Sequence, residues 1–268
     1  MKFYRKKFLT KDFNLYPIGD WHFGSRQCNE RFIKKVVNQI QRDPKGYFVG
    51  MGDFMENAVV GSKSDVYTQV LPPKEQMEYI VEILSPIKDK GLFLIAGNHE
   101  SRTHRMVGLT PEQYIGIQLD VPYCGYSCLA TFQLESKTPN TFTCYFHHNY
   151  GGGYTHGGKI NRADALRKIV PTADAIFSGH FHITSRIPIT WYDAGRSQVL
   201  KHVGYDYITG SALEWDGSYA EEKGKPSATV EHIVINFRGC TSGKQDNRKQ
   251  TYQVLTPLGD NNGPDTAK

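Results

Sequence analysis

Side chains able to grip a divalent cation stand at the ends of five apolar runs. Residues 13–18 lead into Asp20 and His22, 47–51 into Asp53, 92–96 into Asn98 and His99, 142–146 into His147 and His148, and 173–177 into His180 and His182. In an open α/β sheet the carboxyl ends of the strands share one rim, so ligands distant in sequence converge there. The pooled donors are carboxylates, an amide oxygen and imidazoles. Such a set suits manganese, iron or zinc better than a thiolate site would, and none of the five runs ends in Cys. The chemistry it would carry is two-metal hydrolysis.

Spacing refines this reading. Asp20 and His22 are two apart, and in an extended backbone residues i and i+2 share a face. His180 and His182 repeat the spacing behind Gly179, which permits a turn out of the strand. Asp53 follows Gly50-Met51-Gly52, and its two carboxylate oxygens could bridge two cations. Asn98 adds an amide oxygen without adding charge. His147 and His148 are adjacent and would point to opposite faces of a strand, which leaves open which of them faces the site.

The elements that must position these groups follow from periodicity. Up to about residue 180, apolar runs alternate with amphipathic stretches, the pattern of βαβ units. Helices are expected over 29–42, 73–89 and 161–170, the last capped by Asn161 and stopped by Pro171. After His182 the segments 186–192, 198–208, 229–237 and 252–255 read as strands, expected to form a second sheet packed on the first. Loops 59–72 and 151–158 are the irregular stretches nearest the rim. One domain is expected over 1–258, with 259–268 a frayed polar tail.

The chain has 268 residues, 39% hydrophobic and 22% charged, with 14 Phe and 16 Tyr, the profile of a folded protein. No apolar run approaches the ~18 residues of a membrane span. The basic amino terminus has no stretch resembling a secretory signal, so a cytoplasmic location is expected. Five cysteines form no CxxC pair and are expected to be reduced. A net charge of +5, with Lys2, Arg5, Lys6, Lys7 and Lys11 at one end and Lys244, Arg248 and Lys249 near the other, is compatible with an anionic substrate or nucleic acid.

Taken in order, Asp20-x-His22, Gly52-Asp53-x-x-Glu56, Gly97-Asn98-His99-Glu100, His148 and Gly179-His180-x-His182 resemble the motif set of the calcineurin-like metallophosphoesterases. The resemblance implies an α/β fold, a four-layer sandwich of two mixed β-sheets flanked by helices. It further implies that Asp20, His22 and His182 hold one metal and Asn98, His148 and His180 a second, with Asp53 bridging. His99 would stand near the leaving group as general acid, and Glu56 would orient its ring. The chain lacks the Asp-Arg-Gly continuation of the protein serine/threonine phosphatases, because Phe54, Met55, Glu56 and Asn57 follow Asp53. Arg102 and Arg105 could clamp a phosphate instead.

The expected function is hydrolysis of phosphodiesters or phosphomonoesters by in-line attack of a metal-bridging hydroxide. Two divalent transition-metal ions are expected, manganese first, with iron, zinc or nickel as alternatives. A nuclease acting on DNA or RNA is the alternative within the family. A non-catalytic metal-binding scaffold is the alternative outside enzymology.

Overall fold

The structure is a computed structural model and describes residues 1–62, 64, 66–135, 140–227, 229–239, 253–254 and 258–259. In chain order the elements are β1 (Lys2–Lys7), β2 (Asp12–Ile18), α1 (Glu30–Arg42), β3 (Gly46–Gly50), α2 (Pro73–Leu84), β4 (Gly91–Leu94), α3 (Ser101–Val107), α4 (Pro111–Leu119), β5 (Ser127–Leu134), β6 (Asn140–His147), α5 (His156–Asp164), β7 (Ala175–Ser178), β8 (Thr184–Ala194), β9 (Val199–Ser211), α6 (Tyr219–Glu222), β10 (Glu231–His232), β11 (Ile235–Arg238), β12 (Gln253–Val254) and β13 (Leu258–Gly259).

Local chemistry accounts for the main helices. Asn29 caps α1 by accepting from Phe32 N at 2.8 Å, and Phe32, Ile33, Val36, Val37 and Ile40 give it one buried stripe. Pro73 opens α2, where a missing N–H is no loss. Strands β3, β4 and β7 are buried almost throughout, as parallel strands covered on both faces must be.

Among the described residues two mixed sheets form. One has eight strands in the order β1-β5-β6-β7-β9-β10-β13, with β8 paired to β9; the other has five, in the order β12-β11-β2-β3-β4. Strands β2, β3 and β4 run parallel in the smaller sheet, and β6, β7 and β9 run parallel in the larger. The sheets face each other across a core containing Phe13, Val49, Phe93, Phe132, Phe146 and Phe177. Phe32, Ile80 and Ile115 cover the outer face of the smaller sheet, and residues including Ala163 and Leu166 lie outside the larger. The result is the α/β sandwich that the motif resemblance implied.

Several local expectations need correction. The strands after residue 182 do not make a sheet of their own. β8, β9, β10 and β13 extend the larger sheet, while β11 pairs with β2 in the smaller one, because open edges of both sheets remained to be paired. Helix α5 begins at His156 under a Thr155 cap, ahead of the expected Asn161; Gly157 and Gly158, weak helix formers, hide its first turn from periodicity. The segment 151–158 is therefore partly helical. α2 ends at Leu84 and passes into a 3-10 turn, Ser85–Lys90. Gly259, expected in the frayed tail, pairs with Glu231 in β13; residues 260–268 lie outside the described residues. Cys28, Cys124, Cys128 and Cys144 are free thiols. No helix among the described residues is long and apolar enough to cross a membrane.

Candidate metal centre

The ligand-bearing loops begin where parallel strands of both sheets end, and they leave those strands in an unusual way. Asp20, His22, Asp53, His180 and His182 have φ of 50°, 49°, 50°, 73° and 52°. Left-handed backbone costs a non-glycine residue ~1–2 kcal/mol, and Asp, Asn and His tolerate it best. The extended i, i+2 geometry expected from the sequence is therefore not what aligns Asp20 with His22 or His180 with His182. Backbone bonds hold the turns instead: Asp20 N donates to Gly52 O at 2.9 Å and Trp21 N to Asp53 O at 2.9 Å. His180 N donates to both carboxylate oxygens of Asp20, at 3.1 and 2.9 Å, tying the two sheets together.

Three clusters result, each with ligand atoms within 4.8 Å of one another: Asp20, His22 and His182; His22, Asp53 and His99; Asp53, His148 and His180. His182 Nε2 lies 3.2 Å from Asp20 Oδ1 and 3.0 Å from His22 Nε2. His148 Nε2 lies 3.1 Å from Asp53 Oδ2 and 3.1 Å from Asn98 Oδ1. Asp53 Oδ2 is also 4.0 Å from His22 Nε2 and 3.9 Å from His99 Nε2, so one carboxylate oxygen faces both halves of the site. All seven residues expected as ligands come together.

His147 and His148 part company as strand alternation requires. His148 is buried in the site, whereas His147 turns away and accepts from Asn149 N at 2.7 Å.

The donor set fits cations. His22 Nδ1 bonds Glu56 Oε2 at 3.2 Å, His148 Nδ1 donates to Met51 O at 2.8 Å and His180 Nε2 donates to Gly151 O at 2.8 Å. Carbonyls and carboxylates only accept, so each ring presents its other nitrogen to the site as a lone pair, the arrangement usual for metal-bound histidine. Those lone pairs meet carboxylate and amide oxygens, which are acceptors too, and only a cation or a proton can satisfy such a cluster.

The electrostatics agree. Burial works to raise the Asp53 carboxyl, but His148, His99 and His22 hold it well below the ordinary value. Burial works to lower His148, yet Asp53 and Asp20 carry it up to about 9, so without metal a proton there supplies part of the missing charge. Burial takes His180 down to about 4, with His148 adding to the effect.

The residues expected to act in catalysis take more specific positions. His99 Nδ1 donates to the backbone carbonyl of Glu56 at 2.7 Å. The Glu56 carboxylate is 3.7 Å from that nitrogen but 3.2 Å from His22 Nδ1, so the side chain expected to orient His99 chiefly orients His22. Burial lowers His99 to about 4, leaving a neutral ring with its Nε2 lone pair toward the site at pH 7. Arg102 Nη1 donates to Glu56 O at 3.1 Å and Ser64 Oγ at 2.9 Å, which fixes the loop carrying Glu56. Arg105 lies exposed on α3.

Beneath the site lies a support that the motifs do not reveal. Glu100, fully buried, accepts from Asp53 N and Met55 N, both at 3.0 Å, and Glu112 Oε1 accepts from Gly97 N at 2.7 Å. Glu100 stands inside a motif and Glu112 does not. The only signal for Glu112 in the sequence is an acidic residue in the first turn after Pro111, which ordinarily marks a solvated helix start.

No curated protein matches the sequence. Among solved structures, that of GAP50, the anchor in the inner membrane complex of Plasmodium, is similar at 11% identity over 91% of this chain and 88% of that chain, with a TM-score of 0.46. The model of the calcineurin-like phosphoesterase family matches residues 14–184, a span that takes in every residue of the clusters above; the chain belongs to that family.

Proposed function

We propose that the protein is a dinuclear metal-dependent phosphoesterase acting on phosphodiesters or phosphomonoesters. Asp20, His22 and His182 would hold one ion and Asn98, His148 and His180 the other, with Asp53 facing both positions. The observation that carries the reading is the position of Asp53 Oδ2, 3.1 Å from His148 Nε2 and 4.0 Å from His22 Nε2, between the two halves of the site. Hard oxygens beside imidazoles favour manganese, with iron, zinc or nickel as alternatives. Strands from residue 184 onward contribute to both sheets, which supports reading 1–258 as one domain.

Two divalent ions would, when bound, activate water as the nucleophile and neutralise charge building on the phosphorus oxygens. The chain's own residues prepare the rest. Glu56 and the carbonyls of Met51 and Gly151 fix the ligand rings, so little reorganisation remains at the moment of reaction. The Glu56 carbonyl holds His99 Nδ1–H, leaving Nε2 as the position through which a proton reaches the departing alkoxide. A neutral His99 gains that proton only beside an anion, because negative charge nearby raises an imidazole pKa.

Among the described residues no observation favours the nuclease alternative. Lys2 Nζ donates to Tyr123 O at 2.9 Å and Arg5 Nη2 to Gln133 Oε1 at 3.2 Å, and residues 244–249 lie outside the described residues.

The test is a chelated preparation reloaded with manganese, iron, zinc or nickel. It is assayed on bis(p-nitrophenyl) phosphate, p-nitrophenyl phosphate and single- and double-stranded nucleic acid, with metals counted per chain. Metal-dependent turnover with two ions bound is expected. Two ions with no turnover of any substrate would establish the scaffold reading, and full activity without metal would sink the mechanism.

A further inference from the structure

Helix α2 buries Gln76, Ile80 and Leu84 along one stripe, and Gln76 has no exposed surface. An amide buried among apolar side chains is costly unless its polar atoms are bonded. Here Oε1 accepts from Asn57 N at 2.9 Å, and Nε2 donates to Leu71 O at 2.6 Å and to Gln69 Oε1 at 2.9 Å. Gln69 in turn accepts from Ala58 N at 3.2 Å and donates to Ala58 O at 2.8 Å. One helix side chain thus fastens residues 57–58 to residues 69–71. Gly24, two residues after His22, packs flat against it, since a Cβ there would overlap the Gln76 amide.

The bond to Asn57 N also reaches the metal centre through a single peptide group. The Glu56–Asn57 peptide is planar and trans, so its N–H and C=O point in opposite directions. Gln76 takes the N–H, while His99 Nδ1 donates to the C=O at 2.7 Å. Arg102 Nη1 donates to the same carbonyl at 3.1 Å. Gln76 therefore fixes the plane of the carbonyl that holds the His99 ring.

Asn57 holds the same histidine by its main chain. Asn57 is fully buried with a φ of 47°; its Nδ2 donates to His99 O at 2.7 Å and its Oδ1 accepts from Thr103 Oγ1 at 2.9 Å. His99 N donates to Asp53 Oδ1 at 2.8 Å. Amide, carbonyl and ring of His99 are thus bonded to Asp53, Asn57 and Glu56, three residues of one short segment. None of these Asn57 side-chain bonds ends on one of the seven ligand residues, so its amide serves His99 rather than an ion.

We propose that Gln76 and Asn57 are positioning residues for His99. Gln76 keeps the ring proton on Nδ1 by fixing its acceptor, and Asn57 fixes the main chain, so that Nε2 stays directed at the departing oxygen. Gln76 lies outside the motif set and touches neither the substrate position nor a ligand side chain. The role of His99 as proton donor rests on the phosphoesterase reading; the hold on His99 does not.

Asn57→Gly permits the left-handed φ and removes both side-chain bonds. In the metal-loaded enzyme it should keep two ions per chain and its KM. Its kcat on alkyl phosphodiesters should fall by about tenfold to a hundredfold relative to bis(p-nitrophenyl) phosphate, because a misplaced general acid matters most for a poor leaving group. Gln76→Met keeps the packing and removes the amide, and should show the same selectivity. Thr103→Val, at a half-buried position, frees the Asn57 amide more mildly and keeps the test open if the other two variants do not fold. Equal slowing of both substrate classes in the folded variants overturns the assignment.

Long-range proton–nitrogen NMR of the metal-free protein supplies a readout that a general loss of stability would not move. Wild type should show His99 protonated on Nδ1, and Gln76→Met or Thr103→Val a mixture of the two neutral tautomers. A ring that stays wholly Nδ1-protonated in every folded variant overturns the assignment as well. If wild type turns over no ester while the tautomer responds to these substitutions, the positioning stands and the phosphoesterase reading falls.

Discussion

Replacing Gly97 by Ala adds one methyl group at the most crowded backbone crossing of the site. A Cβ there would stand 2.5 Å from Glu100 Oε2 and closer still to the backbone nitrogen and Oδ1 of Asp53, whereas real Cβ contacts essentially never fall under 3.0 Å. None of these atoms is the free end of a flexible chain. Glu100 Oε2 is held by Asp53 N at 3.0 Å, and Asp53 Oδ1 by His99 N at 2.8 Å.

The loop after β3 must therefore move, carrying the Asp53 carboxylate by ~1 Å, a displacement that typically costs ~10²-fold in rate. Overpacking of this kind costs ~1–3 kcal/mol, or about 2–10 °C in Tm for a chain of this size. The assay is metal content per chain, kcat on bis(p-nitrophenyl) phosphate and a thermal melt. Gly61→Ala serves as the control, since its φ is +83° but no atom lies within 4 Å of its Cβ position; it should lose about 1 kcal/mol of stability and no metal. If Gly97→Ala binds two ions and retains kcat within about twofold, then the close approach of the two loops does not set the position of Asp53, and the reasoning fails.

His148→Ala should lose one ion per chain while His147→Ala keeps both, because only His148 Nε2 faces Asp53 and Asn98; the reverse count would exchange their roles. His99→Ala should keep its metals and slow alkyl phosphodiesters ~10²-fold or more beyond nitrophenyl ones, the usual range for general acid help, while equal slowing of both would move the proton donor elsewhere. Glu56→Gln should weaken metal binding more than it changes leaving-group dependence, because its carboxylate bonds His22; leaving-group selectivity with normal metal content would refute that assignment.

Buried His232 is neutral, accepting from Trp21 Nε1 at 3.1 Å and bonding Thr209 O through Nδ1, and burial lowers it to about 4 from an ordinary 6.5. Its stability contribution is full above pH 6.5 and falls as pH drops toward 4, at ~1.4 kcal/mol per unit. Between pH 7 and 5, metal-free wild type should therefore lose about 2 kcal/mol more than His232→Gln in urea unfolding, and parallel losses would show that His232 does not titrate this way.

Much of this protein was legible because its chemistry stands at strand ends. The apolar runs before Asp20, Asp53, Asn98, His148 and His180 became β2, β3, β4, β6 and β7, since a run of four to eight buried residues followed by Gly or polar groups has few other solutions. Helix α1 was legible from its Asn29 cap and apolar stripe. Helix α3 was not, because it buries no residue and so prints no stripe, and α4 was masked by the buried polar Glu112 and by Gly116 among its apolar positions.

The residue types and order at the site, and hence the metal-binding donor set they offer, belong to the sequence by itself. Tertiary structure alone decided how they meet. Left-handed turns at Asp20, His22, His180 and His182, rather than strand alternation, aim those side chains, because backbone bonds from neighbouring loops offset the cost of an otherwise unfavourable φ. The carboxylate of Glu56 went to His22 and its carbonyl to His99, a choice fixed by where two loops from different strands cross. Glu112 reached Gly97 only because α4 packs under the end of β4. Such contacts join residues whose sequence separation carries no periodic signal, so they exist only once the sheets have closed on their shared core.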